Sequence, residues 1–338
     1  MITALVGPTA SGKSQIALEA VRAVRTRTGS GPEEVVGDIE LLSVDSMAVY
    51  RGMDIGTAKP SPEVRAEVRY HLVDLVDPSE EFTVTQFQQA AREAMVEIAD
   101  RGNHAILVGG TGLYLRSVID DLEFPGRYLD VARGLRAELD ACGVKGTDQR
   151  AQGSAVLHAR LKSLDPVAAG RIEPGNERRL VRALEVTVGS GRQFSSYGPG
   201  LERYPPTAIS LVGVVPDPGQ MDQRIADRFA IWMDDGFLEE VRNLAGQPGG
   251  LGRTARQALG YRELLSHLEG GVPLAEAVDE AVRRTRQFAR RQLAWFRRDP
   301  RIAWVEPDAD PLAAVMASLA ADEGPPEPTA RPAADPNR

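Results

Sequence analysis

The feature that most constrains the fold of this chain is a glycine-rich run near its start, GPTASGKS at residues 7–14. It matches the phosphate-loop pattern G-x-x-x-x-G-K-[ST], which lies between a strand and a helix. Glycine lets backbone N–H groups close around an anion, and the N-terminus of the following helix attracts negative charge to the same point. The run therefore predicts a di- or triphosphate site. Its residues are Gly7, Pro8, Thr9, Ala10, Ser11, Gly12, Lys13 and Ser14.

Two side chains of this loop have individual predicted roles. Lys13 supplies a mobile positive charge, and the Ser14 hydroxyl is placed to ligate Mg²⁺, the cofactor that the motif implies. The motif specifies a phosphate and not a reaction, so the reaction has to be inferred from other residues.

The hydrophobic pattern around the loop predicts an α/β fold. We expect a P-loop NTPase-like doubly wound parallel sheet with a helical insertion domain, because short apolar strands alternate with amphipathic helices. The predicted strands are 2–6, 41–44, 105–108, 208–215 and 302–305. The predicted helices of this core include 13–24 and 86–100.

Changes in composition divide the chain into four predicted segments. Residues 1–124 are the first part of the P-loop core, and 125–205 are a helical, arginine-rich insertion. Residues 206–305 are the second part of the core and carry a basic helix. Residues 306–338 are an acidic, proline-rich tail, which we expect to be largely disordered.

Cysteine content and apolar runs bear on the cellular compartment. Cys142 is the single cysteine, so a disulfide framework is excluded. The first predicted strand begins at once and leaves no room for a signal peptide, and no apolar run approaches the roughly 20 residues that cross a bilayer. We therefore expect a cytoplasmic protein without membrane contact. Nothing in the sequence demands more than a monomer.

Charge is distributed unevenly along the chain. The formal net charge is −8, which by itself argues against nucleic acid. Residues 281–301, however, contain eight arginines and one acid, whereas the chain after Val305 has seven acids and two arginines. Such a distribution predicts one basic face for a polyanion on an otherwise acidic protein.

Arginine pairs recur every seven residues in the basic segment, at 283–284, 290–291 and 297–298. Seven residues are close to two helical turns, so we expect all six guanidinium groups on one helical face. A solvated face is the alternative, but the scarcity of acids in the segment argues against ion pairing and favours contact with phosphates. A smaller cluster consists of Arg178, Arg179 and Arg182.

Polar side chains follow two of the predicted strands. Asp45 comes directly after strand 41–44, and Thr111 follows two glycines after strand 105–108. The carboxyl ends of parallel strands meet at one edge of a sheet, so both should face the same cleft as the phosphate loop. Asp45 could instead cap a helix, and Thr111 could be a simple turn residue. Spacing alone leaves these alternatives open.

Longer runs resemble a known family. The run SVDSMAVYRGMDIGTAKP at residues 43–60 resembles the signature of the tRNA dimethylallyltransferase (tRNA isopentenyltransferase) family. The other similar runs are GPTASGKS at 7–14, VGGTGLY at 108–114, RLVRALEV at 179–186, ALGYR at 258–262 and RRQLAWFR at 290–297. They occur in order and cover most of the chain.

This resemblance implies a specific reaction. The family transfers a dimethylallyl group from dimethylallyl diphosphate to the exocyclic N6 amine of the adenosine 3′ of the anticodon in tRNA, releasing diphosphate. By motif, Asp45 is implied as the general base, Thr111 as a diphosphate contact and Arg224 as the group that steadies the leaving diphosphate. Residues 125–205 are implied to grip the anticodon stem-loop.

The resemblance and the arginine clusters together predict a set of tRNA-binding residues. They are Asp45, Ser46, Met47, Ala48, Thr111, Arg178, Arg179, Arg182, Arg256, Arg262, Arg283, Arg290, Arg291, Gln292, Trp295 and Arg297. Ala48 stands where the family often has glutamine, so no polar base contact is expected from its side chain. Residues 127–136 match the family poorly, and Arg133 is a candidate there for the family's tRNA-contacting arginine.

Two other functions fit parts of this pattern. A nucleotide or small-molecule kinase would use the phosphate loop and Asp45, but a small acceptor needs neither the basic segment nor the insertion. A non-catalytic, NTP-dependent RNA-binding switch would use the loop and the arginines without turnover. Its function would survive the loss of Asp45.

Overall fold

Two compact units make up the computed structural model, which describes residues 1–26, 37–144, 146–198, 200–306 and 309–320. One unit comprises Met1–Asp120 and the chain from Tyr204 onward, and the other comprises Asp121–Arg203. The bounds of the second unit lie within a few residues of the insertion predicted at 125–205. The part of the predicted tail from Ala321 onward lies outside the described residues.

A six-stranded parallel sheet forms the centre of the first unit, and it confirms the predicted fold class. Its strands are β1 (Ile2–Val6), β2 (Ile39–Val44), β3 (Tyr70–His71), β4 (His104–Gly109), β5 (Ser210–Val214) and β6 (Ala303–Val305). Their spatial order is β3-β2-β4-β1-β5-β6, so the chain crosses over between non-adjacent strands, as in doubly wound folds. The two-residue β3 was not among the predicted strands.

Helices make up most of the remaining regular structure. In chain order they are α1 (Lys13–Thr26), α2 (Pro62–Glu67), α3 (Val84–Asp100), α4 (Gly112–Ile119), α5 (Leu129–Ala141), α6 (Asp148–Leu164), α7 (Pro166–Arg171), α8 (Glu177–Ser190), α9 (Pro218–Asp234), α10 (Phe237–Gly246), α11 (Tyr261–Gly270), α12 (Leu274–Phe296) and α13 (Pro311–Ala320). Within the described ranges, none of them combines the length and apolar character needed to cross a membrane.

Successive side chains of each strand point to opposite faces of the sheet, so alternate residues pack on opposite sides. On one face Leu5 packs in a cluster with residues of α1 and α13. On the other face Ala4 and Val6 pack in a cluster with residues of α3, α4 and α9–α12. Both faces are therefore covered, which explains why the strands are continuous apolar runs.

Helix α13 lies within residues 306–338, the segment expected to be a largely disordered tail. Its buried side chains, Val315, Met316 and Leu319, pack in the same cluster as α1. The i, i+3, i+4, i+7 spacing of Leu312, Val315, Met316 and Leu319 gives this segment an apolar stripe. Acidic residues and prolines on either side of the segment obscured that stripe in the overall composition.

Helices are the only regular structure among the described residues of the second unit, which consists mainly of α5–α8 and the loops between them. It has an apolar core of its own, which includes Leu135, Leu161, Leu180 and Leu184. Because the core is separate, this unit meets the first requirement for an independently folding insertion.

Arg301 bonds to both chain positions of the first unit that flank the insertion, Asp120 before it and Pro205 after it. Its guanidinium donates to Asp120 Oδ1 at 2.6 Å and to the Pro205 carbonyl at 2.7 Å, and it also pairs with Asp299. The Asp120 carboxylate is nearly fully buried and is also paired with Arg116. This buried network fixes both ends of the first unit's chain where the insertion begins and ends.

Candidate active site

Three strands of the sheet end at the same level. In the register of the sheet, Gly109 of β4 is the partner of both Val6 and Val44, so the residues that follow β1, β2 and β4 are neighbours. A Cβ atom at Gly109 would lie 2.1 Å from the Val44 carbonyl oxygen, so only glycine permits this approach. The structure thus brings together the phosphate loop, Asp45 and Thr111.

The phosphate loop has the backbone conformation that its sequence predicts. Gly12 has φ +88°, a value that glycine adopts without strain, and Ala10 has φ +62°. A Cβ atom at Gly7 would lie 2.8 Å from the Val214 carbonyl oxygen of β5. Ser14, in the first turn of α1, is exposed. The loop is therefore packed tightly against the sheet, whereas its last hydroxyl remains accessible.

Lys13 is buried under this loop. Its Nζ donates to the Pro8 carbonyl at 2.5 Å and to Ser11 Oγ at 3.2 Å. Burial, and next the neighbouring charge of Arg228, lower the pKa of Lys13 to about 7, while Asp45 acts in the opposite direction. The protein therefore does not fully stabilise the positive charge of the Lys13 ammonium group. An anion bound in the loop would provide the missing negative charge.

Asp45 supports a local turn and does not cap a helix, which was the alternative that the sequence left open. Its Oδ1 accepts the Met47 N–H at 2.8 Å and the Ala48 N–H at 3.4 Å. Burial raises the pKa of Asp45, and these two N–H groups and Lys13 oppose the rise. Both N–H groups share Oδ1, so supporting the turn does not occupy Oδ2. The turn and a chemical role are therefore compatible.

Thr111 connects this turn to β4. It precedes α4, but its Oγ1 accepts the Ser46 N–H at 3.3 Å rather than an amide of that helix. Its own N–H donates to the Val44 carbonyl at 3.3 Å. The hydroxyl hydrogen of Thr111 can still be donated to a ligand, because the oxygen is the acceptor in the bond with Ser46.

A cavity of about 670 Å³ lies on the β5 side of the phosphate loop. Both Arg224 and Arg228 of α9 line it. Arg224, the predicted leaving-group residue, is exposed and donates to Gln220 at 3.3 Å. Arg228 is partly buried and its Nη1 reaches Thr9 Oγ1 at 3.4 Å. The arginine next to the loop is thus Arg228, which sequence reasoning missed although it lies one helical turn after Arg224.

Gln292 and Trp295, both predicted to contact tRNA, face the loops of the site. Gln292 is buried, and its amide bonds both to Thr9 N–H, at 2.9 Å, and to the Gly110 carbonyl, at 2.8 Å. The Trp295 ring packs on Gly112, where a Cβ atom would lie 2.3 Å from Cε3. The inner face of α12 is therefore part of the site.

Several arginines of α12 form ion pairs, so the argument from scarce acids was wrong. Arg283 and Arg284 pair with Glu280 at 2.6 and 2.5 Å, and Arg290 pairs with Asp222 at 2.7 Å. Glu280 lies just before the segment in which acids were counted. Asp222 comes from α9, a neighbour that composition cannot reveal.

The prediction of one helical face for three arginine pairs was also wrong. Helix α12 ends at Phe296, so Arg297 is its C-terminal cap and Arg298 follows it. Arg291, Arg297 and Arg298 are nevertheless exposed. The basic surface therefore consists of the outer side of α12 and the turn after it.

The remaining predicted arginines have mixed environments. In the first unit, Arg262 is exposed at the start of α11, and Arg256 pairs with Glu269. In the second unit, Arg178 and Arg179 are exposed at the start of α8. Arg182, by contrast, donates to Glu185 at 2.6 Å and to the Pro125 carbonyl at 2.7 Å, and therefore has a structural role there. Arg133 is exposed and lies 3.3 Å from Asp130.

A phosphate loop and a strand-end carboxylate at one edge of a parallel sheet define a P-loop enzyme. The sequence profile of the IPP transferase family matches residues 48–299. This chain belongs to the IPP transferase family, whose curated members include tRNA dimethylallyltransferases.

Individual relatives match over most of their lengths. The tRNA dimethylallyltransferase of Pseudarthrobacter chlorophenolicus is 42% identical over 94% of this chain and 97% of the relative. Among solved structures, the tRNA isopentenylpyrophosphate transferase of Bacillus halodurans is 33% identical with a TM-score of 0.63, covering 94% of this chain and 96% of that one. A eukaryotic dimethylallyltransferase acting on tRNA has a TM-score of 0.66 at 25% identity, covering 87% of this chain and 69% of that one. These similarities confirm the family resemblance and the enzyme class.

The depressed pKa of Lys13 predicts proton uptake when an anion binds. At pH 8 a lysine with a pKa of about 7 is mostly neutral, and pyrophosphate stabilises its charged form. Calorimetry of pyrophosphate binding in two buffers of different ionisation enthalpy should show uptake of about one proton more for the native protein than for Lys13→Arg, since arginine stays charged. Equal uptake by both proteins would show that Lys13 is already charged in the free enzyme.

Proposed function

We propose that this enzyme transfers a dimethylallyl group from dimethylallyl diphosphate to the N6 amine of the adenosine 3′ of the anticodon in tRNA, releasing diphosphate. The observation that carries the proposal is the bond between Ser46 N–H and Thr111 Oγ1. It joins the turn that carries Asp45 to the loop after β4, beside the phosphate loop. A proton acceptor and a phosphate loop thereby lie side by side at one edge of the sheet in a chain of this family.

Asp45 acts as the general base in this mechanism. The lone pair of an adenine N6 amine is delocalised into the ring, so the amine is a weak nucleophile. As its nitrogen forms a bond to the allylic carbon, the carbon–oxygen bond to the diphosphate breaks and its electron pair leaves with the diphosphate. The proton of the amine passes to the Asp45 carboxylate, a transfer that contributes roughly 10²–10⁴-fold in such reactions.

Positive groups at and beside the phosphate loop bind the diphosphate. Lys13, the amides of the phosphate loop and Arg228 face the place where negative charge develops as the carbon–oxygen bond breaks. Arg224, at the exposed end of the same cavity, adds to the field of Arg228. Thr111 donates its hydroxyl hydrogen to a diphosphate oxygen while it holds the Asp45 turn, so one side chain orients both reactants.

The residues present also fit Mg²⁺. The exposed hydroxyl of Ser14, at the start of α1, is an oxygen ligand, and Mg²⁺ typically takes one or two protein ligands and completes its shell with phosphate oxygens and water. No cluster of three or more acidic, histidine or cysteine side chains suited to a metal occurs among the described residues, which agrees with such a substrate-dependent site. When bound, the ion would neutralise charge on the departing diphosphate.

In this mechanism, arginine contacts to phosphates position the tRNA, and the pocket around Asp45 selects the acceptor base. Exposed Arg262, Arg291 and Arg297 in the first unit, and Arg178 and Arg179 in the second, are suited to phosphate contacts. The acceptor base has to leave its stack to reach Asp45, because the carboxylate is recessed at the end of β2. The turn at Ser46, Met47 and Ala48 then lies closest to that base.

We further propose that the enzyme is a cytoplasmic monomer.

The direct test is the mass of the product RNA. Purified protein is incubated with Mg²⁺, dimethylallyl diphosphate and an unmodified anticodon stem-loop that has adenosine 3′ of the anticodon. We expect the RNA to gain the mass of one dimethylallyl group, and a stem-loop in which that adenosine is replaced to gain none. No gain, together with ATP-dependent phosphorylation of a small acceptor, would instead support a kinase.

Replacement of Asp45 separates chemistry from binding. Asp45→Asn keeps an oxygen that can accept the Met47 and Ala48 N–H groups but removes the base, so the single-turnover rate should fall by about 10²–10⁴-fold. The dissociation constant of the stem-loop should stay within about twofold, since the turn is retained. Asp45→Ala should lower the rate at least as much. An undiminished rate in both variants would exclude Asp45 as the base.

Replacement of Arg290 and Arg291 tests the basic surface. The double Ala variant should bind the stem-loop more weakly, and the slope of log affinity against log salt should decrease by about 1 for each phosphate that the protein no longer neutralises. A matched control is the double Ala variant of Arg22 and Arg242, two exposed arginines that pair with Glu67 and Glu239. It changes the net charge equally and should keep the slope. An unchanged slope in the first variant would show that these arginines only contact solvent and Asp222.

A further inference from the structure

We infer that Gln292 is a positioning residue for the diphosphate, not a tRNA contact: its side-chain amide joins the phosphate loop to the loop after β4 and holds both in register. The inference deepens the proposed function, on which it rests for the identity of the ligand. It concerns Thr9 and Gly110, the two backbone partners of the amide.

The two bonds of Gln292 use opposite ends of one planar group. Oε1 accepts the Thr9 N–H at 2.9 Å, and Nε2 donates to the Gly110 carbonyl at 2.8 Å. Among uncharged side chains of this reach, only an amide offers an acceptor and a donor side by side. Both partners are backbone groups, so the bonds fix loop positions and not merely side-chain orientations.

Close packing confirms that the two loops meet at this side chain. A Cβ atom at Gly110 would lie 2.3 Å from Nε2 of Gln292 and 3.3 Å from the Gly7 carbonyl oxygen. Glycine at position 110 therefore makes room both for the amide and for the phosphate loop. A shift of one loop relative to the other would lengthen at least one of the two bonds of Gln292.

Burial argues against a direct contact with RNA. Gln292 has only 8% of its surface exposed, whereas its neighbours Arg290 and Arg291 are exposed on the outer side of α12. Its amide already uses both ends inside the protein. The amide keeps a second N–H and a second lone pair, but with 8% of the residue exposed these are largely shielded from an RNA group.

Two neighbours connect this position to the reactants. Thr9 Oγ1 accepts from Arg228, and Gly110 directly precedes Thr111. Gln292 thus bonds to the residue that contacts the cavity arginine and to the residue before the proposed diphosphate ligand. Removal of its amide should loosen the anion site on both sides while the outer surface of α12 stays intact.

The experiment compares Gln292→Met with Gln287→Met, a change at an exposed glutamine of the same helix. Methionine has a similar length but cannot form the two amide bonds. Calorimetry with inorganic pyrophosphate should show about tenfold weaker binding for Gln292→Met, the size expected from removal of roughly one hydrogen bond. Stem-loop affinity should stay within about twofold, and Gln287→Met should match the native protein in both measurements. Thermal melts verify that each variant is folded.

A second variant distinguishes the hydrogen bonds from packing alone. Gln292→Glu keeps the acceptor for Thr9, and its carboxyl group donates to Gly110 only when protonated. The burial of this position should raise the pKa of the introduced carboxyl group. Pyrophosphate affinity relative to the native protein should therefore recover to within about threefold as the pH falls from 8 to 6, whereas that of Gln292→Met should not recover.

Two outcomes would overturn the inference. One is unchanged pyrophosphate binding by Gln292→Met, with or without weaker stem-loop binding, and the other is equal recovery of pyrophosphate affinity by the Met and Glu variants at low pH. Because the readout is binding of pyrophosphate, it does not depend on prenyl transfer. Failure of the native protein to modify the stem-loop would reject the proposed function, but it would leave the measured role of Gln292 in the anion site intact.

Discussion

The register between β1, β2 and β4 is the constraint on which the rest of the site depends. Gly109 pairs with both Val6 and Val44, so the phosphate loop, Asp45 and Thr111 emerge from one level of the sheet. A one-residue slip of β4 would turn its apolar side chains to the wrong faces and separate Thr111 from Ser46. The sheet therefore sets the geometry of the reacting groups before any ligand binds, and the apolar core on both faces maintains it.

The electrostatics of the site follow from burial around this edge. Lys13 and Arg228 are basic side chains held close together, and burial lowers the pKa of each, while the buried Asp45 carboxyl group has a raised pKa. Each group on its own is poorly solvated. A bound diphosphate compensates the two cations, and an amine that releases a proton compensates the carboxylate. The free site thus favours ligands with a diphosphate on one side and a proton donor on the other.

Features that depend on contiguous residues could be predicted from the sequence. Contacts between segments that are distant in sequence could not. The phosphate loop and the strand-end positions of Asp45 and Thr111 were predictable because strand, loop and helix signals are contiguous. Arg228 was missed because nothing in the sequence indicates which of two arginines one turn apart reaches the loop. The pairing of Arg290 with Asp222 was missed because α9 and α12 are distant in sequence. The burial of Gln292 was hidden by the exposed arginines beside it.

The two sides of helix α12 face different surroundings, which suits the two roles that we propose for it. Its outer side carries charges that attract a polyanion, and its inner side places Gln292 and Trp295 against Gly110 and Gly112. The two glycines provide the space, so backbone and side chain approach each other closely. A displacement of this helix would therefore move the phosphate loop and the loop after β4 together. A single helix thus carries both the exposed arginines that we propose for RNA contact and the side chains that pack against the loops of the proposed anion site.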